Sequence, residues 1–317
     1  IQQNRELDIK VDYVLPITDS LELELGTRTT LENIDNDFYS ESLNSLGAFS
    51  ADSNLNNVFL YEQSVYAFYA TLGKQFKKLG VKVGSRLEQT TINTELKNTA
   101  EKGNQDYLSP FPSIHFSYKI KEGNEFQLSY SRRINRPSTW DVNPFTSYTD
   151  PYNLNQGNPN LKPEYIDVYE LGYLRFWEKF NFNSSVYFRQ VNGQTQWVTY
   201  LNENNVFVTS PQNLSKTYIS GGELTLGYKP YKWWRNSLTT NLWSANNNNL
   251  SSNLSKTTYG WSLQLTSNQT LGKGWSTQLR GRYRGKNTNV QGETAARYGI
   301  DLSVSKEVMK KKGRITL

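Results

Sequence analysis

Three arginines stand at alternating positions in the sequence, Arg280, Arg282 and Arg284. On a β-strand this spacing puts all three guanidiniums on one face, because successive side chains point to opposite sides. Guanidinium forks grip carboxylates and phosphates through paired hydrogen bonds, so such a row could steer an anionic ligand. It could equally meet carboxylates of the same chain, such as Glu22 and Glu24, or an acidic patch on a further domain. A second group, Arg133, Asn135, Arg136 and Glu164, brackets a proline-rich segment. These residues either form a salt-bridged network at the base of that segment, as buried charges pair with one another, or contact a ligand.

Other chemistries find few residues to use. The chain has no cysteine and one histidine, His115, which argues against a disulfide framework and a transition-metal centre. No nucleophile elbow, P-loop, HExxH or EF-hand spacing occurs. Carboxylates are scattered rather than paired as a glycosidase needs. The chain is therefore expected to be no enzyme and to hold no metal or cofactor. The net charge of +6 is mild, and lysines sit mainly in turns rather than in one stripe, so no nucleic-acid partner is expected.

The elements that position these residues read as strands by strict alternation of apolar and polar side chains. Leu7, Ile9, Val11 and Tyr13 alternate with Asp8, Lys10 and Asp12; Ile114, Phe116, Tyr118 and Ile120 alternate with His115, Ser117 and Lys119; Tyr298, Ile300, Leu302 and Val304 alternate with Gly299, Asp301 and Ser303. Only residues 58–76 are ambiguous, being apolar on both faces. About fourteen strands result, many longer than the ~9–11 residues that cross a hydrocarbon layer. Mean hydropathy is −0.70 although 14% of residues are aromatic. A membrane barrel combines these properties, since every second residue faces water and aromatic girdles flank the outer band.

Short turns near 76–80, 121–124, 177–181, 229–234, 271–274 and 306–313 alternate with longer Asn- and Ser-rich connections near 33–57, 97–109, 137–163, 201–214, 245–256 and 286–293. The expected fold is all-β, an antiparallel up-and-down transmembrane β-barrel, with residues 1–317 forming part of a single barrel domain. Short turns would face the periplasm and long loops the exterior. Phe76, Trp177, Phe180, Trp233, Trp234 and Trp275 cluster at the short-turn ends and are expected to form the periplasmic girdle.

The most specific text lies between residues 127 and 173. YSRRINRP at 130–137, Asn143-Pro144-Phe145, Asp150-Pro151-Tyr152, GNPNLKPEY at 157–165 (with Gly157, Asn158, Pro159, Leu161 and Pro163) and YELGY at 169–173 occur in order. This series resembles the barrel of TonB-dependent outer-membrane receptors of the outer-membrane β-barrel family. Val142 stands where the family has leucine. Five prolines in one connection deny a ladder donor repeatedly, so 137–163 is expected to be a strand-free but folded rim.

The resemblance implies a 22-strand type of barrel in the Gram-negative outer membrane, energised by a TonB-type protein. It also implies a plug domain outside these residues and uptake of a bulky nutrient such as a metal chelate, cofactor or glycan. Because the text opens on Ile1 and stops within a strand pattern, it reads as a fragment of a longer polypeptide. A plugless porin or adhesin-like barrel is the alternative. Outer-membrane lipid is the remaining expected partner.

Overall fold

The computed structural model describes residues 2–43, 47–51, 56–147, 152–203, 205–249, 255–288 and 293–317. Fourteen strands follow one another across one sheet in chain order, each antiparallel to the next. They are β1 Gln2–Thr18, β2 Leu21–Phe38, β3 Asn57–Gln75, β4 Leu79–Leu96, β5 Glu101–Lys121, β6 Asn124–Asn135 and β7 Glu164–Phe176. The series continues with β8 Phe180–Leu201, β9 Phe207–Tyr231, β10 Trp234–Asn249, β11 Ser255–Gly272, β12 Trp275–Arg284, β13 Arg297–Val308 and β14 Gly313–Thr316. This meander is the topology of an up-and-down barrel wall.

The strands run further than the sequence pattern suggests, and β9 reaches 25 residues. They absorb much of what reads as loop. The connection near 97–109 is a tight turn, because β5 begins at Glu101 and pairs there with Leu96. Pro110 and Pro112 fit within β5 because β6 joins it only from Ser113 onward, leaving one side of that stretch unpaired. The segment 201–214 contracts to the few residues between Leu201 and Phe207. In 245–256, strand structure reaches Asn249 and resumes at Ser255. Within 33–57, β2 extends to Phe38 and Glu41–Leu43 pairs with Phe49–Ala51 as a small hairpin.

Each strand has an apolar and a polar face. Leu7, Ile9, Val11 and Tyr13 are more than half exposed on the apolar side. On the polar side Asp8 pairs with Arg28 at 2.7 Å and Glu24 with Lys82 at 2.7 Å. Glu22 and Glu24 therefore do not meet the arginine row, which lies on β12 ten strands along the sheet. The ambiguous stretch 58–76 proves to be β3. Tyr66, Phe68 and Leu72 belong to its apolar face, while Phe59, Tyr61 and Val65 on its other face are buried. The cover for that second face is the 137–163 connection, which folds down onto the wall. Val142 and Leu161 pack there with Ile34, Phe59, Tyr61, Ile92 and Leu96, and Phe145 and Tyr107 fill the margin.

The expected girdle aromatics line the short-turn edge. Phe76, Trp177, Phe180, Trp233 and Trp275 are each about half exposed. Phe180 stacks on Tyr228 at 4.5 Å, and Tyr231, Trp233 and Trp234 form a stacked run.

Candidate functional site

The site begins where β6 ends. Ser138 caps a single helical turn, α1 (Thr139–Val142), through a reciprocal capping box with Asp141; the Ser138 N–H donates to Asp141 Oδ2 at 2.8 Å. The turn drops Val142 and Pro144 into buried positions, and Asn143 Oδ1 accepts the Phe145 N–H at 3.0 Å. Gly157 then returns against the end of α1. Its N–H donates to the Asn143 carbonyl at 2.9 Å, and the Asn158 N–H donates to the Asp141 carbonyl at 2.7 Å. A Cβ at Gly157 would lie 2.3 Å from that Asn143 oxygen, so the close approach requires glycine.

Contrary to the strand-free expectation, this connection holds two short strands. Thr146–Ser147 pairs with Asn153–Gln156, which also runs parallel to β9 at Phe207, Val208 and Thr209. The prolines at 144 and 159 fall outside both, which reconciles their missing donors with local pairing. Asp150 and Pro151 lie outside the described residues. Tyr152 is exposed, and its carbonyl accepts the Phe207 N–H at 3.1 Å. Leu161 is fully buried, Asn158 Nδ2 donates to the Pro211 carbonyl at 3.2 Å, and Pro163 is buried beside β7.

Of the four bracketing residues, three join networks. Arg136 Nη2 contacts Glu88 Oε2 at 2.5 Å and donates to Thr90 Oγ1 at 2.9 Å, and its Nε donates to Tyr107 Oη at 3.2 Å. Arg86 approaches the same carboxylate at 2.5 Å, off the hydrogen-bond direction, so that contact is ionic. Burial acts to lower the Arg136 pKa, but the bond to Glu88 and the nearby Tyr107 outweigh it and hold the guanidinium above its ordinary value. Asn135 Nδ2 donates to Glu164 Oε2 at 3.1 Å, and the Thr195 N–H donates to Glu164 Oε1 at 2.6 Å. Arg133 is exposed on the polar face, with no partner among the described residues. Glu88, Thr90 and Tyr107 were not singled out from the sequence; the alternating row Lys82, Arg86, Glu88 and Thr90 was the available signal. Arg132, on the apolar-face parity, makes an ion pair with Asp167 at 3.3 Å and lies over the Tyr165 ring.

The second group lies on β12 and β13. Arg280, Arg282 and Arg284 share the polar face, where Asp301 and Arg297 stand opposite Arg280 and Arg284. Arg282 bonds Asp301 at 2.8 Å. Arg282, Arg284 and Arg297 line a hollow of about 510 Å³ with Glu223, Asn241 and Gln264. Glu223 accepts from Asn241 Nδ2 at 3.0 Å. Arg280 Nε is buried without an acceptor among the described residues. Four guanidiniums thus face two carboxylates, and the patch carries surplus positive charge.

No curated protein matches the chain. Among solved structures, it superposes on the copper transporter OprC with TM-score 0.72 and 12% identity, covering 98% of this chain and 49% of that one. The ferric-catecholate import receptor Fiu from K12 E. coli gives TM-score 0.67 and 12% identity, covering 97% of this chain and 49% of that one. The ferric yersiniabactin uptake receptor FyuA from Yersinia pestis gives 0.64 and 10%, covering 98% and 47%. The chain spans about half the length of the solved structures it matches. At these identities the likeness concerns the fold, and in an outer-membrane barrel the polar face of the wall lines the interior and the apolar face the outside. Residues 1–317 match the outer membrane protein beta-barrel family throughout, and the chain belongs to that family.

Proposed function

We propose that this chain is the barrel portion of a TonB-dependent receptor in the Gram-negative outer membrane, taking up a metal chelate. Its plug domain and the TonB contact would belong to residues outside this chain. The observation that carries this reading is the fourteen-strand wall with a polar, charged inner face, which superposes over nearly its full length on half of several metal-uptake proteins. On this reading Arg280, Arg282, Arg284 and Arg297 draw an anionic chelate along one side of the lumen. The Arg136 and Glu164 networks seat the inward-folded loop rather than touch the ligand.

Uptake of labelled ferric and cupric chelates by cells carrying or lacking the gene tests this. The expected result is gene-dependent uptake that stops when the proton gradient is collapsed. Gradient-independent uptake, with large steady conductance in planar bilayers, would instead establish a passive porin.

A further inference from the structure

We propose that the inner wall carries a second anion-binding site at its short-turn end, formed by Lys179, Lys229 and Arg235, which takes a carboxylate-bearing polyanion on its way out of the arginine hollow. This rests on the reading of the chain as an uptake barrel. A hollow of about 450 Å³ lies there, lined by the three cations with Asn181, Ser237 and Asn268. Asn181 and Ser237 both pair with Gly227, and Ser237 leads through Thr266 to Arg280, so the lining shares the polar-face parity of the arginine row. The Lys229 N–H donates to the Lys179 carbonyl at 2.8 Å, and Tyr228 pairs with Asn236, which sets Lys229 beside Arg235. Three exposed cations thus stand on consecutive strands, within about 10 Å of wall.

Like charges on facing positions repel, and little in the chain offsets them here. Glu178 is the one carboxylate on the lining among the described residues, and it makes no ion pair with the three cations. The first four strands differ. There Lys10 pairs with Asp12, Arg28 with Asp8 and Lys82 with Glu24, at 2.7 or 2.8 Å, so the inner face neutralises itself. The cationic site is also joined to the hollow above it. Arg235, Asn268 and Gln278 share one row across the sheet, and Ser237, Thr266 and Arg280 share the next. Arg280, whose Nε is buried without an acceptor among the described residues, therefore stands about 7 Å of strand above the Arg235 row, with Arg282 and Arg284 further up. A ligand leaving the upper hollow meets new cations row by row. Several weak sites in series let an ion enter and leave where one tight site would hold it.

The test is acylation of the full-length protein in detergent by a water-soluble amine-reactive ester, read residue by residue by mass spectrometry, with citrate as the probe. Excess citrate should slow labelling of Lys179 and Lys229 at least about fivefold and leave the exposed turn residues Lys121 and Lys312 unchanged. Molar salt should remove the effect, because the screening length falls to about 3 Å. Arg235→Gln, which keeps both lysines, should reduce the protection below about twofold; heat-modifiable migration on gels checks that the variant is folded. Absence of protection, protection undiminished in Arg235→Gln, or equal protection at Lys121 would overturn the proposal. So would lysines already unreactive without citrate, which would show the hollow filled by a fixed acidic segment of the polypeptide. Gradient-independent uptake beside intact citrate protection refutes energised uptake alone, whereas gradient-driven uptake without protection refutes only this site.

Discussion

Replacing Glu88 by Gln should release the inward-folded loop more strongly than any change to its partners. Glu88 is buried, at 7% side-chain exposure, and its single charge is shared by Arg86 and Arg136, each at 2.5 Å. Removing its charge leaves two guanidiniums facing one another in a mostly enclosed site. Breaking a buried pair costs about 3–5 kcal/mol. Arg136 keeps its bonds to Thr90 and Tyr107, and Arg86 is 32% exposed, so the lower end, about 3 kcal/mol, applies. In an exchange experiment this is about a 100-fold rise in the opening constant. Arg136→Gln should cost less, about 2 kcal/mol, because Glu88 retains Arg86. The assay is hydrogen exchange read by mass spectrometry on peptides spanning 137–163 of the folded protein, with peptides from β1 as internal reference. A loss of protection below about threefold in Glu88→Gln, or a larger loss in Arg136→Gln, would refute the reasoning.

Leu161→Ala should lower the same protection by about 3 kcal/mol, as expected for a fully buried leucine whose cavity cannot collapse. Gly157→Ala should be comparably damaging despite its small size, since the new methyl meets a backbone carbonyl rather than a flexible side chain; proteolysis within 137–163 of the folded protein reports it. Ser138→Ala removes the capping box and should cost about 1 kcal/mol, visible in exchange at α1 but not at Leu161. Neutralising Arg280, Arg282 and Arg284 to Gln together should weaken anionic-chelate binding at least about tenfold and flatten its salt dependence, measured by titration calorimetry at two ionic strengths.

Strand identity and face were legible because period-2 alternation is imposed by the two solvents of the wall. Leu7 to Tyr13 and Tyr298 to Val304 show this plainly. Alternation failed in β3 for a physical reason: its inner face meets not water but Val142 and Leu161, carried in by a connection some 65 residues downstream of its end. Strand ends were not legible at the long-loop edge. There both faces are polar, so Gln105 and Tyr107 read as loop although they pair with β4. The proline count correctly marked 137–163 as folded, but turn chemistry cannot reveal that Asn153–Gln156 finds a parallel partner in β9. The pairing of Arg136 with Glu88 was equally hidden, because it joins positions 48 residues apart. The arginine row was visible from spacing alone, whereas Asp301 and Arg297 emerged only from the register of β13.

The loop's contacts have a mechanical consequence. A wall one strand thick is stiff along its strands but compliant when bent around its circumference, so an unsupported mouth flattens under uneven load. The 137–163 connection packs on β2, β3 and β4 through Val142 and Leu161 and pairs with β9 through Asn153–Asn155, and β2 and β9 stand seven strand spacings, or about 34 Å of wall, apart. It acts as a chord across an arc, anchored by a hydrophobic pad at one end and a β-pair at the other. Load on the rim is then shared across the arc, and the wall keeps its curvature there.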